Sequence, residues 1–136
     1  MLSIFERKSV KKEFIAYQGK QFTIEWYFDT RGKSDAQKYF ETLPRERQKK
    51  LAHLFFLLGD MGNLFNREKF RYEGDQIYAL KPSPDRFLCF FFDGSKVIVT
   101  NAYEKKSDKM PPNEKKIALK AKEDYTKRCK EENYYD

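Results

Sequence analysis

Ile77-Tyr78-Ala79-Leu80-Lys81, then Asp85-Arg86, then Phe87-Leu88-Cys89-Phe90-Phe91-Phe92, then Asp93-Gly94 and Lys96 to Tyr103: this stretch decides the fold. It reads as strand, bend, strand, hairpin, strand. Pro82-Ser83-Pro84 makes the first connection short and stiff, because each proline fixes φ. The run Phe87 to Phe92 is apolar on both faces, as a central strand requires. Asp93-Gly94 is a strong hairpin signal, since a type I′ turn needs positive φ at both central residues. Val97, Val99, Asn101 and Tyr103 then alternate with Ile98, Thr100 and Ala102, the period of two expected of a strand. A basic loop, Glu104-Lys105-Lys106-Ser107-Asp108-Lys109-Met110, leads out of it.

Working outward, the last helix is expected to begin between Pro111 and Asn113, with Ile117 or Ala118, Ala121, Tyr125 and Cys129 on one face. Residues 131–136 read as a frayed tail. Upstream, Phe70-Arg71-Tyr72 is a short strand or extended piece, and Asp60 to Glu68 is loop. Ser34 can cap a helix carrying Ala36, Tyr39, Phe40 and Leu43 on one stripe. Pro44 ends that helix and can open a second. The second shows Leu51, Leu54, Phe55 and Leu58 on its apolar face, with Gly59 as its expected C-terminal cap. Gln21 to Phe28 alternates Phe22, Ile24, Trp26 and Phe28 against Gln21, Thr23, Glu25 and Tyr27, as a half-buried strand does. Glu13 to Tyr17 is a possible further strand.

The order is therefore β-α-α-β-β-β-α. It describes a small α+β fold: one mainly antiparallel sheet, an N-terminal helical hairpin and a C-terminal helix. Residues 1–20 are read as an N-terminal extension, 21–130 as a single domain and 131–136 as the tail.

The chain has 136 residues and a formal charge of +7, with 28 basic against 21 acidic side chains. That balance favours a polyanionic partner such as nucleic acid, although a merely solvated basic surface accounts for it as well. No apolar run approaches the roughly 18 residues of a membrane span. The N-terminus lacks the unbroken apolar core of a secretory signal, so a cytoplasmic protein is expected. Cys89 and Cys129 show no metal-binding spacing and read as free thiols. The single histidine, His53, lies opposite the apolar face of its helix, so it is not expected to act in catalysis.

What chemistry remains is cationic and phenolic. Antiparallel neighbours lie about 4.8 Å apart, so Lys81 and Arg86 meet at one end of their hairpin. The strand Lys96 to Tyr103 returns to that same end. Lys81, Arg86, Tyr103 and the pair Lys105-Lys106 are thus expected at one sheet edge, a phosphate-binding arrangement. Solvated strand-end lysines that discourage edge pairing would leave the same pattern.

Three segments carry a family resemblance. They are Trp26 to Ser34 with Tyr39-Phe40-Glu41-Thr42-Leu43; Ile77 to Pro82 with Asp85-Arg86-Phe87-Leu88; and Tyr103 to Pro111 with Glu114 and Ala118. In that order and spacing they resemble the RelE/HigB-type toxins of type II toxin–antitoxin systems, in particular the phage-derived HigB-like branch. Lys81 stands where the family often has arginine, Ala79 where it has glutamate and Asn101 where it often has histidine. The resemblance implies a ribosome-dependent mRNA endonuclease that uses the 2′-OH as nucleophile and needs no metal or other cofactor. It implies Lys81, Arg86, Lys106 and Tyr103 as catalytic residues. Lys105, Lys109 and Arg71 would bind RNA. The implied partners are mRNA on the ribosome and a helix-turn-helix antitoxin, with no membrane. The alternatives are a ParE-like gyrase inhibitor of the same fold and a basic nucleic-acid binder without catalysis.

Overall fold

A computed structural model describes residues 14–62 and 66–136. Most of the expected N-terminal extension, and Glu13 at the start of the possible strand Glu13 to Tyr17, lie outside the described residues. Six strands form one sheet: β1 (Ile15–Gln18), β2 (Thr23–Trp26), β3 (Phe70–Tyr72), β4 (Tyr78–Leu80), β5 (Asp85–Phe92) and β6 (Lys96–Glu104). Three helices pack on it: α1 (Asp35–Thr42), α2 (Arg45–Met61) and α3 (Pro112–Lys130). The expected α+β class is what the structure has. The strand order is β1-β2-β6-β5-β4-β3, antiparallel throughout except for the parallel pair β2–β6.

The local signals act as their chemistry dictates. Ser34 Oγ accepts from the Gln37 N–H at 3.2 Å and caps α1. Asp93 and Gly94 both take positive φ, at 56° and 65°, and close the β5–β6 hairpin. β5 lies inside the sheet with both faces covered. Its Phe87 and Cys89 join Trp26, Leu51, Leu54, Phe55 and Leu58 in a core under α1 and α2. Its Leu88 and Phe90 join Ala118, Ala121 and Tyr125 in a second core under α3.

Four expectations need correction. Gly59 does not end α2, which continues to Met61 and is capped by Gly62 at φ 77°. Gly59 is instead the point where the helix backbone meets the β1–β2 turn. Its carbonyl accepts from the N–H groups of Gln21 (2.7 Å) and Phe22 (3.0 Å). A Cβ placed on Gly19 would lie 2.3 Å from the Gly59 carbonyl carbon, so the approach is backbone to backbone.

Residues 131–136 do not fray. Tyr134 is only 4% exposed, and its hydroxyl accepts from the Phe28 N–H at 2.9 Å. Tyr135 donates to Glu25 at 2.7 Å and contacts the Tyr125 hydroxyl at 2.6 Å. This packing also changes the reading of β2. Its second face, Glu25 and Tyr27, was expected to be the open one, yet both are buried beneath the tail. Glu25 is neutralised there by Lys96 at 3.3 Å. Finally, the chain before residue 21 is not wholly an appendage, because β1 pairs with β2 at the sheet edge.

A candidate nucleic-acid cleft

Strand parity builds the site. Arg71 pairs with Ala79, and Arg86 pairs with Tyr103. Ala79, Leu88 and Tyr103 belong to the core on the α3 side, so Arg71, Arg86 and Tyr103 all point to that face. Lys81 follows two residues after Ala79, just beyond β4, and its N–H donates to the Lys69 carbonyl at 2.8 Å. α3 covers β5 and β6, and β3 at the sheet edge is left largely exposed. The loop after β6 closes the far wall: the Lys105 N–H donates to the Pro84 carbonyl at 2.8 Å, and Met110 packs on the α3-side core.

The result is a cleft of about 120 Å³ lined by Arg71, Glu73, Lys81, Arg86, Tyr103 and the 105–110 loop. Five cations, Arg71, Lys81, Arg86, Lys105 and Lys109, face two carboxylates, Glu73 and Asp108. The field is therefore positive, in a small and partly walled space where charge is screened less than on an open surface.

The cations act on one another. Lys81 is held below the usual lysine range, first by burial and then by the charges of Arg86 and Arg71. Its Nζ donates to the Arg67 carbonyl at 3.2 Å. Burial raises the Tyr103 hydroxyl above its ordinary value, and the Arg86 charge opposes that rise. Arg86 Nη1 donates to the Asp85 carbonyl at 3.0 Å. Lys105 Nζ pairs with Asp108 at 2.9 Å, and that lysine holds the Asp108 carboxyl below its usual range.

Six of the seven residues singled out in the sequence thus line one cleft. Lys106 does not: it is exposed and turned away from the lining, while its neighbour Lys105 faces inward. Alternation through the end of β6 accounts for this, because successive side chains leave on opposite sides. Glu73 was missed. It follows Arg71 by two residues and so shares its face, a signal legible only once β3 is known to pair with β4.

Asn101 is not in the cleft either. It is 2% exposed, and its Nδ2 donates to the Glu114 carbonyl at 3.1 Å and to Glu114 Oε1 at 3.0 Å. It ties β6 to the first turn of α3. A bulge at Thr100 sets this up: Val99 pairs with Cys89 and Asn101 with Leu88, leaving Thr100 unpaired between them. His53 is exposed on α2, far in sequence from these elements.

The family model for phage-derived protein Gp49-like (DUF891) matches residues 38–123. The chain belongs to that family. The Gp49-like match runs from α1 into α3 and takes in every residue lining the cleft, while β1, β2 and the C-terminal tail lie outside it. Gp49-like proteins are of the RelE/HigB toxin type and are associated with toxin–antitoxin systems. No curated protein matches the chain. Among the described residues, no helix is long and apolar enough to cross a membrane.

Proposed function

We propose that this Gp49-like protein is the toxin of a toxin–antitoxin pair and cuts mRNA on the ribosome, with the 2′-OH attacking the adjacent phosphate. The observation that carries the proposal is the convergence of Arg86, Lys81, Arg71 and Lys105 around Tyr103 in one cleft. In such a cleavage the 2′-oxygen bonds to phosphorus, the 5′-oxygen leaves, and a 2′,3′-cyclic phosphate and a 5′-OH result. Negative charge builds on the non-bridging oxygens. Arg86 meets them with a planar fork and Lys81 with a point charge. The lowered proton affinity of Lys81 brings it towards the range useful for proton transfer. Among the described residues Asp108 is paired with Lys105 and Glu73 is in no salt bridge, so Glu73 can accept the 2′-OH proton. Arg71, Lys105 and Lys109 hold flanking phosphates, and the ring of Tyr103 offers a surface for a base.

The small size of the cleft supports a cleavage that depends on the ribosome. A cleft of about 120 Å³ takes a phosphate and part of a sugar. Beyond the phosphates next to the cut, the RNA would be held by the ribosome.

Induced expression in a bacterium tests the proposal. Growth should arrest, transcripts should be cut within translated regions, and the 3′ fragments should begin with a 5′-OH. Arg86→Ala should lose about 10²–10³-fold in cleavage, the cost of removing one transition-state donor, while remaining folded. Growth arrest with intact transcripts and a DNA-damage response would instead identify a ParE-like gyrase inhibitor. Salt-sensitive RNA binding without cleavage would identify a binder.

A further inference from the structure

Directly behind the cleft, on the α1–α2 side of the sheet, lies a second charged cluster. Asp85 opens β5 and is fully buried. Its carboxylate accepts from the Tyr39 hydroxyl at 2.6 Å and from Arg47 Nε at 2.9 Å. Arg47 Nη2 donates to the same carboxylate, and to Glu104 at 3.2 Å. Tyr39 comes from α1 and Arg47 from the first turn of α2, so each helix of the hairpin supplies one clamp. A carboxylate buried this deeply requires such partners.

Asp85 and Glu104 face each other across β5 and β6, and the next pair along is Arg86 and Tyr103. Alternation sends the first pair towards the helical hairpin and the second into the cleft. The two faces share one peptide: Arg86 Nη1 donates to the carbonyl of Asp85 itself. The guanidinium in the cleft is thus held by the main chain of the residue whose side chain is gripped from behind.

We propose that Arg47, Tyr39 and Asp85 are positioning residues for Arg86: by fixing the Asp85 peptide and the β5–β6 register at its end, they aim the guanidinium into the cleft. What the aimed guanidinium then does rests on the proposed RNA cleavage; the aiming itself does not. The cluster also makes the helical hairpin part of the site's support, although neither helix lines the cleft.

The test uses the full chain carrying Arg47→Gln. Circular dichroism reports folding, the Arg86 Nε–H NMR resonance reports the guanidinium, inorganic phosphate is the binding probe, and a translating extract reports cleavage. The expected result is a folded variant whose Arg86 resonance broadens or moves towards that of a free side chain and responds more weakly to phosphate. Its kcat should fall by roughly 10²-fold with little change in KM, the cost of misplacing a reacting group by about 1 Å. A folded Arg47→Gln protein with the parent's Arg86 resonance and phosphate response overturns the proposal. Should Arg47→Gln not fold, Tyr39→Phe removes one hydroxyl and carries the same readouts. A smaller change in the same direction supports the proposal, and an unmoved Arg86 resonance overturns it. If the parent neither binds phosphate nor cuts RNA while Arg47→Gln still disturbs Arg86, the cleavage reading falls and the positioning stands.

Discussion

Tyr134→Ala separates a packed C-terminus from a frayed one. In the fold the ring sits 4.5 Å from Tyr125 and 4.8 Å from Tyr135, centroid to centroid. The Arg128 guanidinium lies over it at 4.6 Å, and the hydroxyl accepts from Phe28. Truncating a buried aromatic costs about 3–5 kcal/mol. Because Tyr134 lies on a short segment after α3 that can readjust, we place this case near the lower limit, about 3 kcal/mol. For a domain of this size that is a fall in Tm of about 10 °C, taking roughly 3 °C per kcal/mol. Tyr134→Phe loses only the hydroxyl and should cost about 1 kcal/mol. Urea unfolding followed by tryptophan fluorescence measures both, since Trp26 lies in the adjoining strand β2. A Tyr134→Ala protein within about 0.5 kcal/mol of the parent, the range of an ordinary surface substitution, would refute the packed tail and with it the burial of Glu25. Cleavage should be unchanged in either variant, because the cleft lies at the other end of the sheet's α3 face.

Alkaline pH should unfold the protein early. Burial lifts Tyr27, Tyr39, Tyr125, Tyr134 and Tyr135 above the ordinary value of 10.0. The unfolded chain therefore loses these protons first, the native state holds more of them, and stability falls as pH rises past 10.0; urea midpoints that stay level from pH 9 to about 11 would contradict this. In Arg86→Ala, Lys81 should titrate higher than in the parent, since one depressing charge is gone while burial remains; NMR of its ε-methylene checks the direction. Asp108→Asn should strengthen RNA binding by less than about tenfold, because it removes an anion from the cleft and frees Lys105 from a solvent-screened pair; filter binding at fixed salt reads it, and weaker binding would argue that Asp108 orders the loop. Gly19→Ala should cost about 3 kcal/mol or more through overpacking, given the 2.3 Å approach to Gly59; a silent substitution would mean that the β1–β2 turn is not docked on α2.

Local chemistry made much of this fold legible. Ser34, Pro44 and Asp93-Gly94 each fix a backbone event with nearby atoms, and each does so in the structure. The apolar run of β5 implied cover on both faces and has it. What stayed hidden depends on distant partners. No pattern around Glu25 signals that Tyr135 arrives to cover it. Gly59 looks like a helix stop because a glycine C-cap and a glycine at a close backbone crossing are the same letter. In the cleft, Lys81, Arg86 and Tyr103 could be placed because two tight turns constrain them. The choice between Lys105 and Lys106 turned on one residue of alternation at a strand end, where a bulge or a bend reverses it. Glu73 was missed because the pairing of Arg71 with Ala79, which puts β3 beside the cleft, is not written in the short run Phe70–Tyr72.

The parallel pairing of β2 with β6 orders the birth of the molecule. Trp26 finds its neighbour Val99 only after most of the chain has been made, and such long-range pairing is slow to nucleate. The strands from Phe70 to Glu104 that carry the basic residues pair with near neighbours in sequence and close shorter loops. A nascent chain still attached to its ribosome would therefore hold the early strands β1 and β2 as an unmatched edge. Any factor that captures that edge during synthesis would keep the protein from completion.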